Sequence, residues 1–299
     1  MLAVLLKSDL EIPAASSKFI SMYLLFSIGF KGGQELAHSH FTAEIVYSLF
    51  LGTTVAALIP LYTFFILRRR MSISDSGAVA AAYGSVSAVT FVSAVSFLDA
   101  EKIKYGGHMV AVMALMESPA IIMGVILLKK YDKGVESRKP LSETIKHAFT
   151  NGSVLLILGS LIIGWIADTK QAEDIKPFTS DIFKGFLAIF LLDMGMVTSR
   201  RLSTFRKYGW FATAFALVIP LLNGCAIAAL SGLIMHDMGN RFIMAILAAS
   251  ASYIAVPAAM RLAAPRADPG LYIPMALGIT FPFNITVGMP LYYLIVQHL

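Results

Sequence analysis

Long apolar stretches alternate with short polar segments along the whole chain. A helix needs about 20 residues to cross the hydrocarbon core of a bilayer. From residue 19 onward the pattern predicts nine membrane-crossing helices, at residues 19–36, 43–67, 77–98, 107–128, 154–167, 182–198, 210–235, 242–262 and 271–296. The fold class predicted is therefore an all-α polytopic membrane protein.

The chain begins with a short apolar segment from Met1 to Leu6, which Lys7, Ser8 and Asp9 follow at once. It resembles the last turns of a spanning helix, so we expect a first helix that is either truncated or short. Counted with the nine others, it gives ten crossings in two sets of five. We predict a first five-helix repeat at residues 1–134, a cytoplasmic linker at 135–149 and a second five-helix repeat at 150–299.

The two sets share features at a nearly constant spacing. The stretches 80–96 and 248–260 are both rich in Ala and Ser, and Ser85 corresponds to Ser250 at an offset of 165 residues. Pro119 corresponds to Pro282 at an offset of 163. Because five is odd, the second set must face the opposite way. This pattern predicts an inverted-topology (5+5) repeat with broken or crossing helices.

The basic residues indicate the orientation. Arg68 to Arg70, the Lys129 to Lys146 loop, Arg200, Arg201 and Arg266 lie between spans on one side, and the other side carries fewer Lys and Arg. Cytoplasmic loops are enriched in Lys and Arg. We therefore expect the first side to be cytoplasmic and the C-terminus to lie outside.

Composition supports a membrane protein and excludes several other classes. The chain is 57% hydrophobic and only 14% charged, whereas a soluble domain carries about 25% charged residues. The net charge of +6 resides in short loops between spans, so it does not indicate nucleic-acid binding. Cys225 is the single cysteine, which excludes an intramolecular disulfide and a thiolate metal site.

The two Ala- and Ser-rich stretches are the candidate binding site. Ser85 and Ser87 of the first stretch correspond to Ser250 and Ser252 of the second. The candidate residues are Gly84, Ser85, Ser87, Ala88, Thr90, Ser250 and Ser252. A helix that breaks within the membrane points N–H groups at an anion, and Gly84 and Pro257 are candidate break points. Pro119 and Pro282 are expected to interrupt the helices that follow. Ala- and Ser-rich membrane helices are also ordinary packing faces, and this alternative stays open.

Polar side chains within the spans are candidate cation ligands. Glu117 and Asp193 lie inside predicted helices, where a carboxylate is costly and often functional. Each could bind or balance a cation or belong to a structural pair, and the pair is the favoured interpretation for Asp193. Asn284 could offer its side-chain carbonyl to Na⁺.

Enzyme signatures are not found in the sequence. It contains no GxxxxGK phosphate loop, no GxSxG, no HExxH and no CxxC. An intramembrane enzyme would need a nucleophile and a base, and Ser87 with His108 is the one conceivable pair. We therefore expect that the protein is not an enzyme.

Several longer motifs resemble a known family. They are SDLEIP from Ser8, IGFKGG from Ile28, YGSVSAVT from Tyr83, ESPA from Glu117, MGM from Met194, ASASYIAVPAAMRLAAPRADPGLYI from Ala249 and GITFPFNITVGMPLYY from Gly278. Together they look like the sodium-dependent bicarbonate transporter family, whose best-known members are cyanobacterial. The resemblance covers essentially the whole chain.

The resemblance implies a multi-pass permease of the plasma (inner) membrane with a core and a gate subdomain, often a homo-trimer. Bicarbonate would bind between the fourth and ninth helices, which adds Tyr253 and Ala255 to the candidate residues. Co-transported Na⁺ would be the one cofactor, with Glu117 and Asn284 as candidate ligands. The family also binds a PII-like cytoplasmic regulator. This chain differs from the family at Tyr253, where the family has an acidic residue, and at Glu117, where it has Asp.

The sequence thus predicts sodium-coupled uptake of bicarbonate or a similar small anion. A symporter of an organic anion is the alternative, because five-plus-five folds carry several such substrates. Membrane lipid is expected among the partners, and nucleic acid is not.

Overall fold

The computed structural model describes residues 8–38, 42–132, 146, 150, 152–202 and 209–299. Within them every element of regular structure is a helix. The helices are α1 (Ala14–His38), α2 (Ala43–Leu67), α3 (Ile73–Gly84), α4 (Ala88–Ala100), α5 (His108–Tyr131), α6 (Gly152–Ile166), α7 (Thr169–Lys176), α8 (Phe183–Leu202), α9 (Gly209–Leu230), α10 (Met238–Ala249), α11 (Ala255–Ala263) and α12 (Pro269–His298).

Five helical segments in the described residues are long and apolar enough to cross a membrane. They are Ala43–Leu67, Ile73–Ala100, His108–Tyr131, Gly209–Leu233 and Pro269–His298. The prediction of an all-α membrane protein is thereby confirmed. The predicted spans at 19–36, 154–167 and 182–198 coincide with α1, α6 and α8, which are helical but are not among these five. The predicted remnant of a first helix and most of the linker at 135–149 lie outside the described residues.

Small residues hold α1 and α6 in close contact. A Cβ on Gly33 would clash with backbone atoms of Leu161, Gly164 and Trp165, and a Cβ on Gly164 would clash with the carbonyl of Phe30. Glycines spaced four apart let two helix backbones approach closely. The Gln34 side chain donates to the carbonyls of Gly164 and Ala167, which fixes the end of this pair. We call α1 and α6 the small-residue pair.

Two of the predicted spans are each broken into two helices. Both breaks follow a twelve-residue helix, since α3 ends at Gly84 and α10 ends at Ala249. The next residue has almost the same backbone conformation in each case, with φ −83° and ψ 170° at Ser85 and φ −82° and ψ 168° at Ser250. The chain resumes as a helix at Ala88 and at Ala255.

The prolines act differently from the prediction. Helix α5 continues without interruption through Pro119, so the expected break there is wrong. Pro257 is the third residue of α11, where a missing N–H costs no helical hydrogen bond, and the break lies before it. Pro282 lies in α12 between two π-helical stretches, Met275–Thr280 and Asn284–Gly288.

Hydrogen bonds join helix ends at opposite ends of the bundle. At one end the Asp268 N–H donates to Asp75 Oδ1 at 2.8 Å, and Ser74 Oγ donates to Asp132 Oδ2 at 2.7 Å. At the other end the Gly106 N–H donates to Asn240 Oδ1 at 2.6 Å. These links join α3 with α5 and α12, and the α4–α5 loop with α10. The two broken helices are thereby held alongside each other in opposite directions.

Candidate functional site

The two helix breaks cross each other in the centre of the fold. The Ser87 N–H donates to Ser250 Oγ at 3.0 Å, and the Ser252 N–H donates to the Ala82 carbonyl at 2.8 Å. Each broken helix thus donates a backbone N–H to an acceptor in the other. Because unpaired backbone is costly within a membrane, this exchange stabilises two non-helical segments that would be unfavourable separately.

The local sequence explains why α3 stops and α4 begins where they do. A Cβ on Gly84 would clash with the ring of Pro60, so only glycine lets α2 approach the end of α3. Ser87 then caps α4 by accepting the Thr90 N–H at 3.2 Å, as serine does at many helix N-termini. α11 starts after Ile254, which provides no side-chain cap, and Ser252 Oγ lies 3.5 Å from the Val256 nitrogen. The first N–H groups of α4 and α11 therefore point back towards the crossing.

A small enclosed cavity lies at the crossing. Its volume is about 10 Å³, and its lining is Val86, Ser87, Ala88, Glu117, Ser153, Ser252, Tyr253 and Ile254. A cavity of this size holds about one water molecule. It brings together two hydroxyl side chains of the breaks, one carboxylate of α5 and the N-terminus of α4. The arrangement combines anion-binding and cation-binding groups in one buried place.

A much larger cleft reaches the crossing from one side. It has a volume of about 440 Å³ and extends from Glu11 and Lys18 to Tyr253 and Ile254. The same Tyr253 and Ile254 line the small cavity, so the cleft and the crossing adjoin at these two residues. The cleft is consequently a candidate route towards the buried site, with the Tyr253–Ile254 segment at its inner end.

The structure places most of the predicted anion-site residues at the crossing. Ser87, Ala88, Ser252 and Tyr253 line the small cavity, and Ala255 begins α11 beside them. Thr90 is buried one turn into α4. Ser250 is buried too, and its Oγ, besides accepting from Ser87, donates to the Leu247 carbonyl at 2.9 Å. Gly84 instead packs against Pro60.

Two hydroxyls near the crossing make no hydrogen bond with the described residues. They are the buried Oγ of Ser85 and the buried phenol oxygen of Tyr253, although Tyr253 lies within reach of the Ser87 side chain. A buried hydroxyl without a partner costs free energy comparable to a lost hydrogen bond. Such groups are therefore available to a ligand that enters the site.

The two candidate sodium ligands occupy different surroundings. Glu117 is buried and lines the small cavity. Asn284 is completely buried, and its amide donates to the Ala249 carbonyl at 2.8 Å while its oxygen accepts from the Tyr292 hydroxyl at 3.4 Å. Asn284 thus supports the end of α10 and is not among the residues that line the cavity with Glu117.

The site is also supported by a network of hydroxyl groups, which the sequence analysis did not indicate. The Tyr83 hydroxyl lies 2.8 Å from Thr280 Oγ1, which donates to the Ala216 carbonyl at 2.8 Å. Because Thr280 has a single proton, Tyr83 must be the donor in their contact. These bonds join α3, α12 and α9. The sequence feature that indicates this network is Tyr83, a large residue with a hydroxyl in a stretch of otherwise small residues.

The enzyme alternative depended on a pair that does not form. Ser87 lies at the crossing, whereas His108 begins α5 beyond the thirteen residues of α4 and the loop that follows. A helix of that length spans about 20 Å. The two side chains therefore lie at opposite ends of α4.

Comparison with known protein families identifies the family of this chain. The chain matches the family model of the Na⁺-dependent bicarbonate transporter superfamily over residues 1–297 of 299. The chain belongs to this superfamily. The resemblance drawn from the motifs is thus confirmed, and membership indicates membrane transport. A search of the curated proteins found no match.

Proposed function

We propose that this member of the superfamily is a secondary active transporter that couples the uptake of bicarbonate, or a similar small anion, to sodium. The observation that carries the proposal is the crossing of two broken helices, where Ser87 donates to Ser250 and Ser252 donates to Ala82. A static packing face would not need two breaks that complete each other's hydrogen bonds.

The anion would bind between the first turns of α4 and α11. The N-terminus of a helix carries a partial positive charge and unpaired N–H groups, which favour an anion. Bicarbonate has one donor and several acceptor positions, and the hydroxyls of Ser87, Ser252 and Tyr253 can serve as donors and acceptors. The cavity of about 10 Å³ is smaller than such an anion, so the Tyr253–Ile254 segment must move for the anion to enter.

Sodium would bind on the side where α3 and α10 end. Helix C-termini present carbonyl oxygens and a partial negative charge, and transporters use such ends for Na⁺. Glu117 is close enough to the cavity to add a carboxylate. One positive and one negative ion in the same site would offset each other's charge, which gives a physical basis for coupling.

The inverted 5+5 repeat belongs to the same proposal. The equal lengths of α3 and α10 and the matching dihedral angles at Ser85 and Ser250 support it. With the basic side cytoplasmic and the C-terminus outside, the 440 Å³ cleft would open inward in a plasma-membrane protein. A homo-trimer and a PII-like regulator at the cytoplasmic surface remain expectations from the family resemblance.

One observation favours a second candidate, the symport of an organic anion. The cleft that leads to Tyr253 has a volume of about 440 Å³, within the range of small-molecule sites. A substrate that bound in this cleft, with its anionic group at the crossing, would be larger than bicarbonate.

The test is uptake of labelled bicarbonate into liposomes that contain the purified protein. Uptake should be faster with a Na⁺ gradient than with an equal K⁺ gradient, and carbonic anhydrase on either side separates it from carbon dioxide leakage. Organic acids are added as competitors in a parallel series. Equal uptake in Na⁺ and K⁺ would refute the coupling, and Na⁺-driven uptake of an organic acid without bicarbonate uptake would favour the second candidate.

A further inference from the structure

One carboxylate of α8 has no role in the site described above. Asp193 is 5% exposed, and it lines the cleft that ends at Tyr253. It makes no hydrogen bond or ion pair with any residue that the structure describes. The interpretation of Asp193 as half of a structural pair therefore finds no partner in the described part of the chain.

The cleft is formed by matching faces of two helices. Phe190, Asp193, Met194 and Val197 line it from α8, and Ala14, Ser17, Lys18 and Ser21 line it from α1. Each set has the i, i+3, i+4, i+7 spacing of one helix face. Asp193 is the one acidic side chain on these two faces, near the middle of α8. The exposed Lys18 and Glu11 lie nearer the start of α1.

An unpaired carboxylate in this position is neutralised either by a proton or by a counter-ion. Burying a charge without a partner is unfavourable, and carboxylates within a membrane region usually face a water-filled cavity or an ion pathway. The Asp193 oxygens are not among the buried atoms that lack a partner, so they are reachable from the cleft. The carboxylate can then be neutralised by an ion that comes from that side.

The surroundings select a monovalent cation. A single carboxylate offers one negative charge, and the cleft supplies the hydroxyls of Ser17 and Ser21 but no second buried acid among the residues that line it. Divalent ions generally require more carboxylates or a fixed coordination cage. A hydrated alkali cation fits this set better, since it can keep part of its water in a cleft of about 440 Å³.

We propose that Asp193 is a binding site for Na⁺ in the cleft, separate from the crossing of the broken helices and on the path between that crossing and one side of the membrane. The identity of the cation as Na⁺ rests on the proposed function. The presence of a monovalent cation site rests on the cleft and its unpaired carboxylate.

The experiment measures cation binding without transport. The melting temperature of the detergent-solubilised protein is followed as NaCl replaces choline chloride at constant ionic strength, because a ligand that binds the folded state raises stability. The wild type should show a saturable rise with Na⁺. Asp193→Asn should need at least about tenfold more Na⁺ for the same rise, because the amide keeps the size of the side chain but removes its negative charge. Asp193→Glu should retain most of the response.

Glu11→Gln is the matched control, because Glu11 is an exposed acid at the same cleft. Its Na⁺ response should equal that of the wild type. If Asp193→Asn and the wild type respond to Na⁺ identically, the proposal is overturned.

Uptake in liposomes distinguishes the proposed Na⁺ site at Asp193 from the proposed transport of bicarbonate. Na⁺-driven uptake with an unchanged Na⁺ requirement in Asp193→Asn refutes this site alone. A Na⁺ response that depends on Asp193, in a protein that transports no bicarbonate, refutes the proposed substrate alone.

Discussion

At the scale of single residues, the crossing depends on serine because serine has two functions there. Ser87 accepts the Thr90 N–H, which starts α4, and at the same time its own N–H donates to Ser250. Ser252 donates its N–H to Ala82, and its Oγ lies 3.5 Å from the Val256 N–H. The backbone N–H of each residue joins the two broken helices, while its hydroxyl lies at the start of the next helix and lines the cavity.

Removing the Ser252 hydroxyl should therefore reduce transport more than stability. We expect Ser252→Ala to lower bicarbonate uptake by about tenfold, because a lost hydrogen bond to a charged ligand costs about 1.5–3 kcal/mol. Its melting temperature should stay close to that of the wild type, since the backbone bond to Ala82 remains.

Ser93→Ala is the control for this change. Ser93 lies on α4 and its hydroxyl donates to the Val89 carbonyl of the same helix, away from the cavity. The Ser93→Ala protein should take up bicarbonate at the wild-type rate. Equal uptake by Ser252→Ala and Ser93→Ala would exclude the Ser252 hydroxyl from the binding site.

At the scale of elements, the contact between α1 and α6 depends on the absence of side chains. Gly29 lies against Ser160, and Gly33 lies against the backbone of Leu161 and Gly164. Backbone atoms cannot move aside as a flexible side chain can. The small-residue pair is consequently sensitive to a single methyl group, even though glycine is unfavourable in an isolated helix.

We expect Gly33→Ala to destabilise the protein and reduce its yield in detergent. The new Cβ would meet the Leu161 carbonyl and the Trp165 amide nitrogen, so α1 and α6 must separate. Thermal unfolding of the purified variant measures the effect, which should exceed the gain of about 1 kcal/mol that alanine brings to a helix.

Gly159→Ala provides the comparison on α6 itself. A Cβ on Gly159 has no heavy atom within 4 Å, so this variant should be as stable as the wild type or more stable. A Gly33→Ala protein that melts at the same temperature as Gly159→Ala would contradict the close packing of this pair.

At the scale of the whole molecule, the two cavities indicate how access could alternate. The cleft and the small cavity share Tyr253 and Ile254 in their lining. Ile254 is 45% exposed and precedes α11, for which it provides no side-chain cap. A segment with few side-chain hydrogen bonds at a helix end can move without disrupting the two helices on either side.

We expect a cysteine at Ile254 to react with a membrane-impermeant thiol reagent from the cytoplasmic side only. Cys225→Ala removes the one native cysteine and gives a clean background. Labelling in oriented vesicles should slow when bicarbonate and Na⁺ are added together, because substrate at the crossing would cover the segment.

Leu299→Cys in the same background controls the orientation. Leu299 is 73% exposed at the C-terminus, which the distribution of basic residues predicts to lie outside, so it should react from the opposite side. Labelling of both cysteines from one side would show that the predicted topology is wrong.

The helices were largely predictable from the sequence, because hydropathy alone determines which segments cross a bilayer. Residues 43–67 form the predicted helix with the predicted ends, and the two small-residue stretches contain the breaks after Gly84 and Ala249. The effect of the prolines was not predictable in this way. Pro119 leaves α5 intact, and neighbouring helices in a bundle can compensate for the lost hydrogen bond.

The sequence by itself determined the membrane class, the family and the two stretches that form the crossing. Only the tertiary structure decided which hydroxyls line a cavity, that Asn284 supports α10, and that Asp193 faces a cleft and has no partner among the residues that the structure describes. The physical reason is the range of the interactions. Membrane insertion and helix capping depend on residues a few positions apart, whereas the contacts of Ser87 with Ser250 and of Tyr83 with Thr280 join residues more than 160 positions apart.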